Sequence, residues 1–254
     1  MPILCYHAVD EAWPSPLALP PAVFDQHCAW LRAHRRVVSL ADAVNTMPDA
    51  SQLPRGTAVL TFDDGFQGLY TDALPILLKH RLPATIFVVA DTLTSTQRPV
   101  DWIDDPPTEP LKTLSRAQVL EMMSAGITVG SHSNTHRDLT ALSEDECERD
   151  LRASREVLED QLGVPIRWLA YPRGRHDERV WRAAARVGFT HGFALPEAPE
   201  PMSALAIPRV GIWSHDGLSA LRVKTTNWYL ALRTSRAYPL ARAVRQLGRR
   251  RVAA

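Results

Sequence analysis

Several things are missing from this sequence, and each absence narrows what the chain can be. No stretch approaches the roughly 20 consecutive apolar residues that a membrane-spanning helix needs. Cysteine is scarce: Cys5, Cys28 and Cys147 are far apart, odd in number and form no CxxC pair. That excludes a disulfide framework and a thiolate zinc site, and it suits a reducing compartment. Met1 to His7 contain no basic stretch followed by a long apolar one, so no secretory signal is visible. The expected location is cytoplasmic or at the inner face of the membrane. No GxGxxG follows the first strand, which removes the dinucleotide-binding fingerprint. There is no fixed-period repeat, and hence no solenoid.

Acidic residues are also missing from one region. After Asp216 there are none, while Arg222, Lys224, Arg233, Arg236, Arg242, Arg245, Arg249, Arg250 and Arg251 follow. The formal net charge of +1 therefore joins a tail of nine positive charges to a remainder of net −8. No nucleic-acid-binding motif accompanies this charge, so no nucleic-acid partner is expected. Three readings of the tail stand: a basic amphipathic helix on anionic lipid, a contact with an anionic polymer, or a helix packed on the main domain. No protein partner can be inferred.

What is present reads as an ordinary globular protein, 45% hydrophobic and 22% charged over 254 residues. Short apolar strands alternate with helical patterns. Ile3 to Tyr6, Thr57 to Phe62, Pro83 to Ala90, Ile127 to His132, Ile166 to Tyr171, Thr190 to Leu195 and Ile207 to Trp213 read as strands. Between them, Phe24, His27, Cys28 and Leu31 recur at helical spacing. Ser143 with Glu146 opens a long helix that Gly163 closes. All-apolar strands alternating with helices argue a parallel α/β fold. His7, Asp63, Asp64, His132 and Tyr171 fall at the C-terminal ends of different strands, and in a barrel those ends meet at one mouth.

Three stretches carry candidate chemistry. Thr57 to Gly65 reads TAVLTFDDG. Strand alternation sends Asp63 and Asp64 to different sides, and two adjacent bare carboxylates repel unless a cation or a proton separates their roles. Asp-Asp-Gly is equally ordinary turn chemistry, and on this stretch alone the two readings balance. HSNTH at 132–136 sets two imidazoles four apart on a strand-to-helix turn. Two histidines plus one carboxylate can hold a transition metal and leave positions open for water and substrate; solvated loop histidines are the alternative. Leu169 to Gly174 reads LAYPRG, either a simple turn or a source of N–H donors for a developing oxyanion.

Together, TFDDG at 61–65, HSNTH at 132–136 and AYPRG at 170–174 resemble the polysaccharide deacetylase (NodB-homology) family of carbohydrate esterases in order and spacing. The resemblance covers residues 1 to 215. It implies a distorted TIM-like (β/α)7 barrel over 1–217, with 218–254 as a basic, helical extension. It implies metal-dependent removal of N- or O-acetyl groups from sugars, with Asp63 as the general base. Asp64, His132 and His136 would be the ligands of one divalent ion, zinc first, with iron, cobalt or nickel also suited. Tyr171, Pro172, Arg173 and Gly174 would face the substrate and its oxyanion, and the partner would be an N-acetylated oligo- or polysaccharide.

Two features depart from the family pattern. The third motif commonly begins with an arginine that orients the base, and here that position is Ala170. The late motif with aspartate and tryptophan is not recognisable, and the late leucine-x-histidine motif has only His215 as a counterpart. The N-terminal LCYHAV, residues 4–9, resembles the opening of the subgroup that includes poly-N-acetylglucosamine deacetylases of exopolysaccharide systems. In that subgroup the acid histidine sits on an early strand. This assigns His7 as the acid, with His215 as competitor and a structurally hydrogen-bonded His7 as the third option. Two other functional readings stand beside it, a non-catalytic carbohydrate-binding relative and a hydrolase of small amides or cyclic imides.

Overall fold

The computed structural model of the chain describes residues 2–46, 56–94, 99–104, 106–107, 109–196 and 203–235. Its centre is a sheet of β1 (Ile3–Tyr6), β2 (Thr57–Phe62), β3 (Thr85–Val88), β4 (Thr128–Ser131), β5 (Trp168–Ala170), β6 (His191–Ala194), β7 (Ile207–Pro208) and β8 (Val210–Gly211). Neighbours run in the order β7-β6-β5-β4-β3-β2-β1-β8, and each of these strand pairings is parallel. The segment expected as one strand from Ile207 to Trp213 is two short pieces separated by Arg209. Ile207 pairs with Phe193 on one side, and Val210 pairs with Leu4 on the other. One stretch thus serves as the last stave and meets the first, which nearly closes seven parallel staves into the expected (β/α)7 barrel.

The side-chain period of two builds a two-layered core. Ile3, Val59, Phe87, Ala170, Phe193 and Ile207 share an inner cluster with Leu40, Ala43 and Val44 of α2 (Leu40–Thr46). Their strand neighbours Leu4, Leu60, Ile86, Val88 and Leu169 belong to an outer cluster under the helices. Every one of these strand residues is buried. That is why the strands read as continuous apolar runs rather than alternating ones.

The helices begin and end where local chemistry dictates. α1 (Pro21–His34) carries proline in its first turn, where no N–H is needed. α3 (Leu74–His80) follows a π-turn at Leu69–Ala73. α4 (Arg116–Ser124) starts on a Ser115–Gln118 capping box. α5 (Glu144–Leu162) starts on the Ser143–Glu146 box and ends at Gly163, whose φ of 69° suits glycine. α6 (Glu178–Val187) is capped by Asp177.

Two short helices, α7 (Leu218–Lys224) and α8 (Asn227–Arg233), follow the last stave. Leu221 is buried, the Arg233 guanidinium donates to the Pro196 carbonyl at 2.6 Å, and Trp228 is 56% exposed. Residues 236–254, with six of the nine basic residues of the tail, lie outside the described residues. No helix among the described residues is long and apolar enough to cross a membrane.

His27 shows what burial does to a titratable group on a helical stripe. It is fully buried on α1, with Nδ1 3.3 Å from the Tyr6 hydroxyl. Burial pushes its pKa from 6.5 down to about 4, against the opposing pull of Asp216. The unfolded chain therefore binds a proton between those values that the folded chain does not. Stability contributed by neutral His27 is complete above pH 6.5 and declines as pH falls towards 4, by on the order of 3 kcal/mol. Urea denaturation at pH 7.5 and 4.5 should show His27→Leu losing less stability on acidification than the parent chain. An unchanged loss would contradict this assignment.

Candidate active site

The site is assembled from residues that immediately follow the staves. β2 ends in Asp63 and Asp64, and the backbone turns left-handed at Asp64, with a φ of 70°. Strand alternation alone would send the two carboxylates apart; this turn brings both to the wall of one cavity. Gly65 also has a φ of 70°, and a Cβ there would lie 2.5 Å from Cγ1 of Val88. The glycine of the motif is thus required by both conformation and space.

Asp63 is buried, and two side chains hold its carboxylate. The Arg209 guanidinium donates to Oδ1 and Oδ2 at 2.7 Å each, and it also reaches the Thr61 hydroxyl at 3.2 Å. Cys5 Sγ lies 3.3 Å from Oδ2. Burial raises the Cys5 pKa well above its ordinary value, so this thiol stays protonated and donates. Burial by itself would raise the Asp63 pKa. The Arg209 charge, then His132 and the Arg209 hydrogen bonds, outweigh it and hold the carboxyl well below the usual range. Arg209 is fully buried, the single residue between β7 and β8. The arginine missing from position 170 therefore comes from another stave. The signal was present in the sequence: a lone arginine inside the apolar run Ile207 to Gly211.

Asp64 faces two imidazoles instead. Its Oδ1 lies 3.1 Å from Nε2 of His136 and 3.6 Å from Nε2 of His132. Nδ1 of His132 is 2.9 Å from the Ala170 carbonyl, which only accepts, so Nδ1 carries the proton and the Nε2 lone pair turns inward. Burial lowers the His132 pKa to about 4 and keeps the ring neutral. Burial would raise the Asp64 pKa, but the His136 hydrogen bond and the two imidazoles bring it below the ordinary value.

The HSNTH turn is held by α5 and by its own serine. Asp150 accepts from Asn134 N–H at 2.9 Å and from the Thr135 hydroxyl at 2.6 Å, while Ser133 Oγ accepts from His136 N–H at 3.0 Å. Ser133 and His136 both have positive φ, 64° and 58°. Such strain persists only where surroundings over-determine it, and it gathers at functional sites.

One carboxylate and two imidazoles, with ligand atoms all within 4.8 Å of one another, fit a borderline divalent metal. The Ala170 carbonyl behind His132 is the second-sphere acceptor such a ligand needs. The loop between β3 and α4 adds Trp102, which stacks on His136 at 5.0 Å between centroids and donates Nε1–H to Asp64 Oδ1 at 3.1 Å. Arg173 fastens that loop through Asp104 at 2.9 Å and the Trp102 carbonyl at 3.1 Å.

These groups open on a cavity of about 460 Å³ whose wall includes His7, Asp63, Asp64, His132, His136, Arg173, Gly174, Leu195 and Trp213. His7 is 8% exposed, and its Nδ1 has no hydrogen-bond partner among the described residues. It stacks on the Trp213 indole, 5.4 Å away and tilted by 20°. His215 is exposed and does not line the cavity. Of the third motif, Arg173 and Gly174 reach the wall. Tyr171 is buried behind it with its hydroxyl on the Leu205 carbonyl at 2.7 Å, and Pro172 does not line the cavity either. Trp213, which no recognised motif pointed to, does.

The Arg209–Asp63 pair is buried on both sides, with side chains 0% and 2% exposed. Arg209→Leu would leave Asp63 charged, buried and without its counter-ion, and should cost about 3–5 kcal/mol in urea denaturation. The double exchange Asp63→Leu/Arg209→Leu should recover most of that. A single exchange costing under about 1 kcal/mol would contradict the pairing.

Residues 50–192, more than half of the chain, match the profile of the polysaccharide deacetylase family. The poly-beta-1,6-N-acetyl-D-glucosamine N-deacetylase of Staphylococcus epidermidis is 28% identical over 212 residues, 78% of this chain and 68% of that protein. YxkH of Bacillus subtilis is 26% identical over 193 residues, and the match spans 63% of its length. Among solved structures, the deacetylase PplD of Streptococcus pyogenes, in complex with acetate, superposes with a TM-score of 0.75 at 25% identity. That match covers 89% of this chain and 98% of PplD. IcaB from Ammonifex degensii shares the fold, with a TM-score of 0.70 at 23% identity over 88% and 96% of the two chains. Motifs, barrel and profile agree, and the chain belongs to the polysaccharide deacetylase family.

Proposed function

We propose that the chain is a metal-dependent N-deacetylase acting on N-acetylhexosamine units of a surface polysaccharide or its precursor. The observation that carries this reading is the division between two adjacent carboxylates. Asp64 faces His132 and His136, Asp63 is held by Arg209, and both open on the same cavity. Asp64, His132 and His136 would hold one divalent cation, zinc first, with iron, cobalt or nickel also suited. When bound, the cation supplies Lewis acidity, bringing the pKa of a coordinated water towards about 7 and polarising the acyl oxygen.

The chain's own residues do the rest. Asp63, fixed by the Arg209 fork, takes the proton of the attacking water at a carboxylate oxygen. The N–H groups of Tyr171 and Gly174 are committed to the carbonyls of Phe193 and Tyr171, and Pro172 has none. That leaves the Arg173 N–H as the motif's donor towards the oxyanion. His7 protonates the leaving nitrogen as the C–N bond breaks, giving a free amine and acetate. Burial lowers its pKa, which makes its imidazolium a ready donor. Asp63, with a ligand oxygen within 4.8 Å of a His7 ring nitrogen, is the nearby proton source.

The N-acetylated polymer as substrate draws on the name of the staphylococcal relative. A non-catalytic reading leaned on the altered third motif, and Arg209 removes that support by orienting Asp63 from another strand. The anionic-surface reading of the tail rests on sequence charge alone.

One experiment tests the assignment as a set: metal analysis and acetate release from chitooligosaccharides for the parent chain, His132→Ala, His7→Ala and His215→Ala. His132→Ala should lose metal and turnover together. His7→Ala should keep metal and lose on the order of 100-fold or more in kcat, and His215→Ala should match the parent. Loss on His215→Ala with His7→Ala unaffected would move the acid to the C-terminal side.

A further inference from the structure

A histidine that delivers a proton must hold its plane, yet no hydrogen bond among the described residues engages Nδ1 of His7. Its orientation is set by the Trp213 indole stacked on it. Trp213 is in turn fixed from below. Its backbone N–H donates to Asp216 Oδ2 at 2.8 Å, and its backbone carbonyl accepts from Asp216 N–H at 2.9 Å. Ser214 N–H donates to the Pro16 carbonyl at 2.8 Å. The indole lies against Gly211, where a Cβ would come within 3.1 Å of Cζ2.

Asp216 does not hold this turn alone. It is buried, and its Oδ2 is paired with the Nζ of Lys224, itself buried on α7. The same Nζ donates to the Gly211 carbonyl at 2.8 Å. One ammonium group thus ties both ends of the segment from Gly211 to Asp216, the segment that carries Trp213. Burying two such charges costs several kcal/mol per ion, and an apolar pair of similar volume is often as stable. Stability is therefore a weak reason for this pair to exist; fixing one geometry is a better one.

We propose that Lys224 and Asp216 are positioning residues for His7, acting through Trp213. The inference rests on the reading of His7 as the acid. It makes α7 part of the support of the active site rather than an appendage after the barrel.

Leaving-group chemistry separates positioning from general damage. An amine must be protonated to leave, whereas 4-nitrophenolate leaves without a proton. Metal-loaded full-length chain is assayed on chitooligosaccharide and on 4-nitrophenyl acetate. His7→Ala should lose on the order of 100-fold in kcat on the amide and stay within about 3-fold on the ester. Lys224→Met should lose about 10-fold in kcat on the amide, with KM, metal content and ester turnover within about 2-fold. Trp213→Leu, which also alters the cavity wall, is read only for its amide-to-ester ratio of kcat, which should fall about 10-fold. Asp216→Asn keeps an acceptor for the Trp213 N–H and should be milder than Asp216→Leu.

If a single exchange fails to fold, Asp216→Asn/Lys224→Met, which leaves no unpaired charge, is read for the same amide-to-ester ratio. Equal losses on both substrates, or no loss on either, would overturn the inference while leaving His7 in its role. The absence of a split in His7→Ala would instead overturn the reading of His7, and this inference with it.

Discussion

Two carboxylates on adjacent residues, both buried, repel each other unless something separates their roles. Asp63 and Asp64 are 1% and 2% exposed, and the site is built around keeping them apart electrically. Arg209 claims both oxygens of one, and two imidazoles face the other. Arg209 arrives from the last stave and the two imidazoles from the turn after β4, so the barrel must close before the pair can be tolerated. Folding and function are linked at this point. The arginine that makes Asp63 affordable in the interior is the same group that aims it at the cavity.

Backbone geometry serves the same end. Asp64, Ser133, His136 and Arg173 adopt left-handed conformations that side chains ordinarily avoid, and Asp64, His136 and Arg173 line the cavity. Each sits where a stave or its loop turns sharply, and each is held by surrounding structure: Gly65 against Val88, Ser133 on His136, Asp104 on Arg173. A parallel barrel provides the rigid frame for this, because its strand ends are anchored by hydrogen bonds on both sides. The loops then add what the frame lacks, Trp102 on Asp64 and Trp213 on His7.

The sequence disclosed the parts of the site that are contiguous. Asp63 and Asp64 share one strand end, and His132 and His136 share one turn, so a local pattern exposes each pair. The fold was legible for a similar reason: runs such as Ile86 to Ala90 are apolar throughout, which marks burial on both faces. Arg209, Cys5 and Trp213 could not be read this way, because they meet the site only through tertiary contact, whereas Trp102 lies in the long polar, proline-rich segment 91–114 whose length marks a loop at a site rim. Arg209 came nearest to visibility, since a charge inside an apolar strand demands a buried partner. The interrupted last stave was hidden too, because pairing Ile207 with one neighbour and Val210 with another is decided by closure rather than by local pattern.

The central claim is that the two carboxylates divide the labour, Asp64 to the metal and Asp63 to the water's proton. Metal stoichiometry and acetate release measured side by side for Asp63→Asn and Asp64→Asn test it most directly. The account predicts that Asp63→Asn retains about one metal per chain with turnover lost by on the order of 100-fold or more, while Asp64→Asn loses both. Equal metal loss in the two variants, or full turnover in Asp63→Asn, would contradict it.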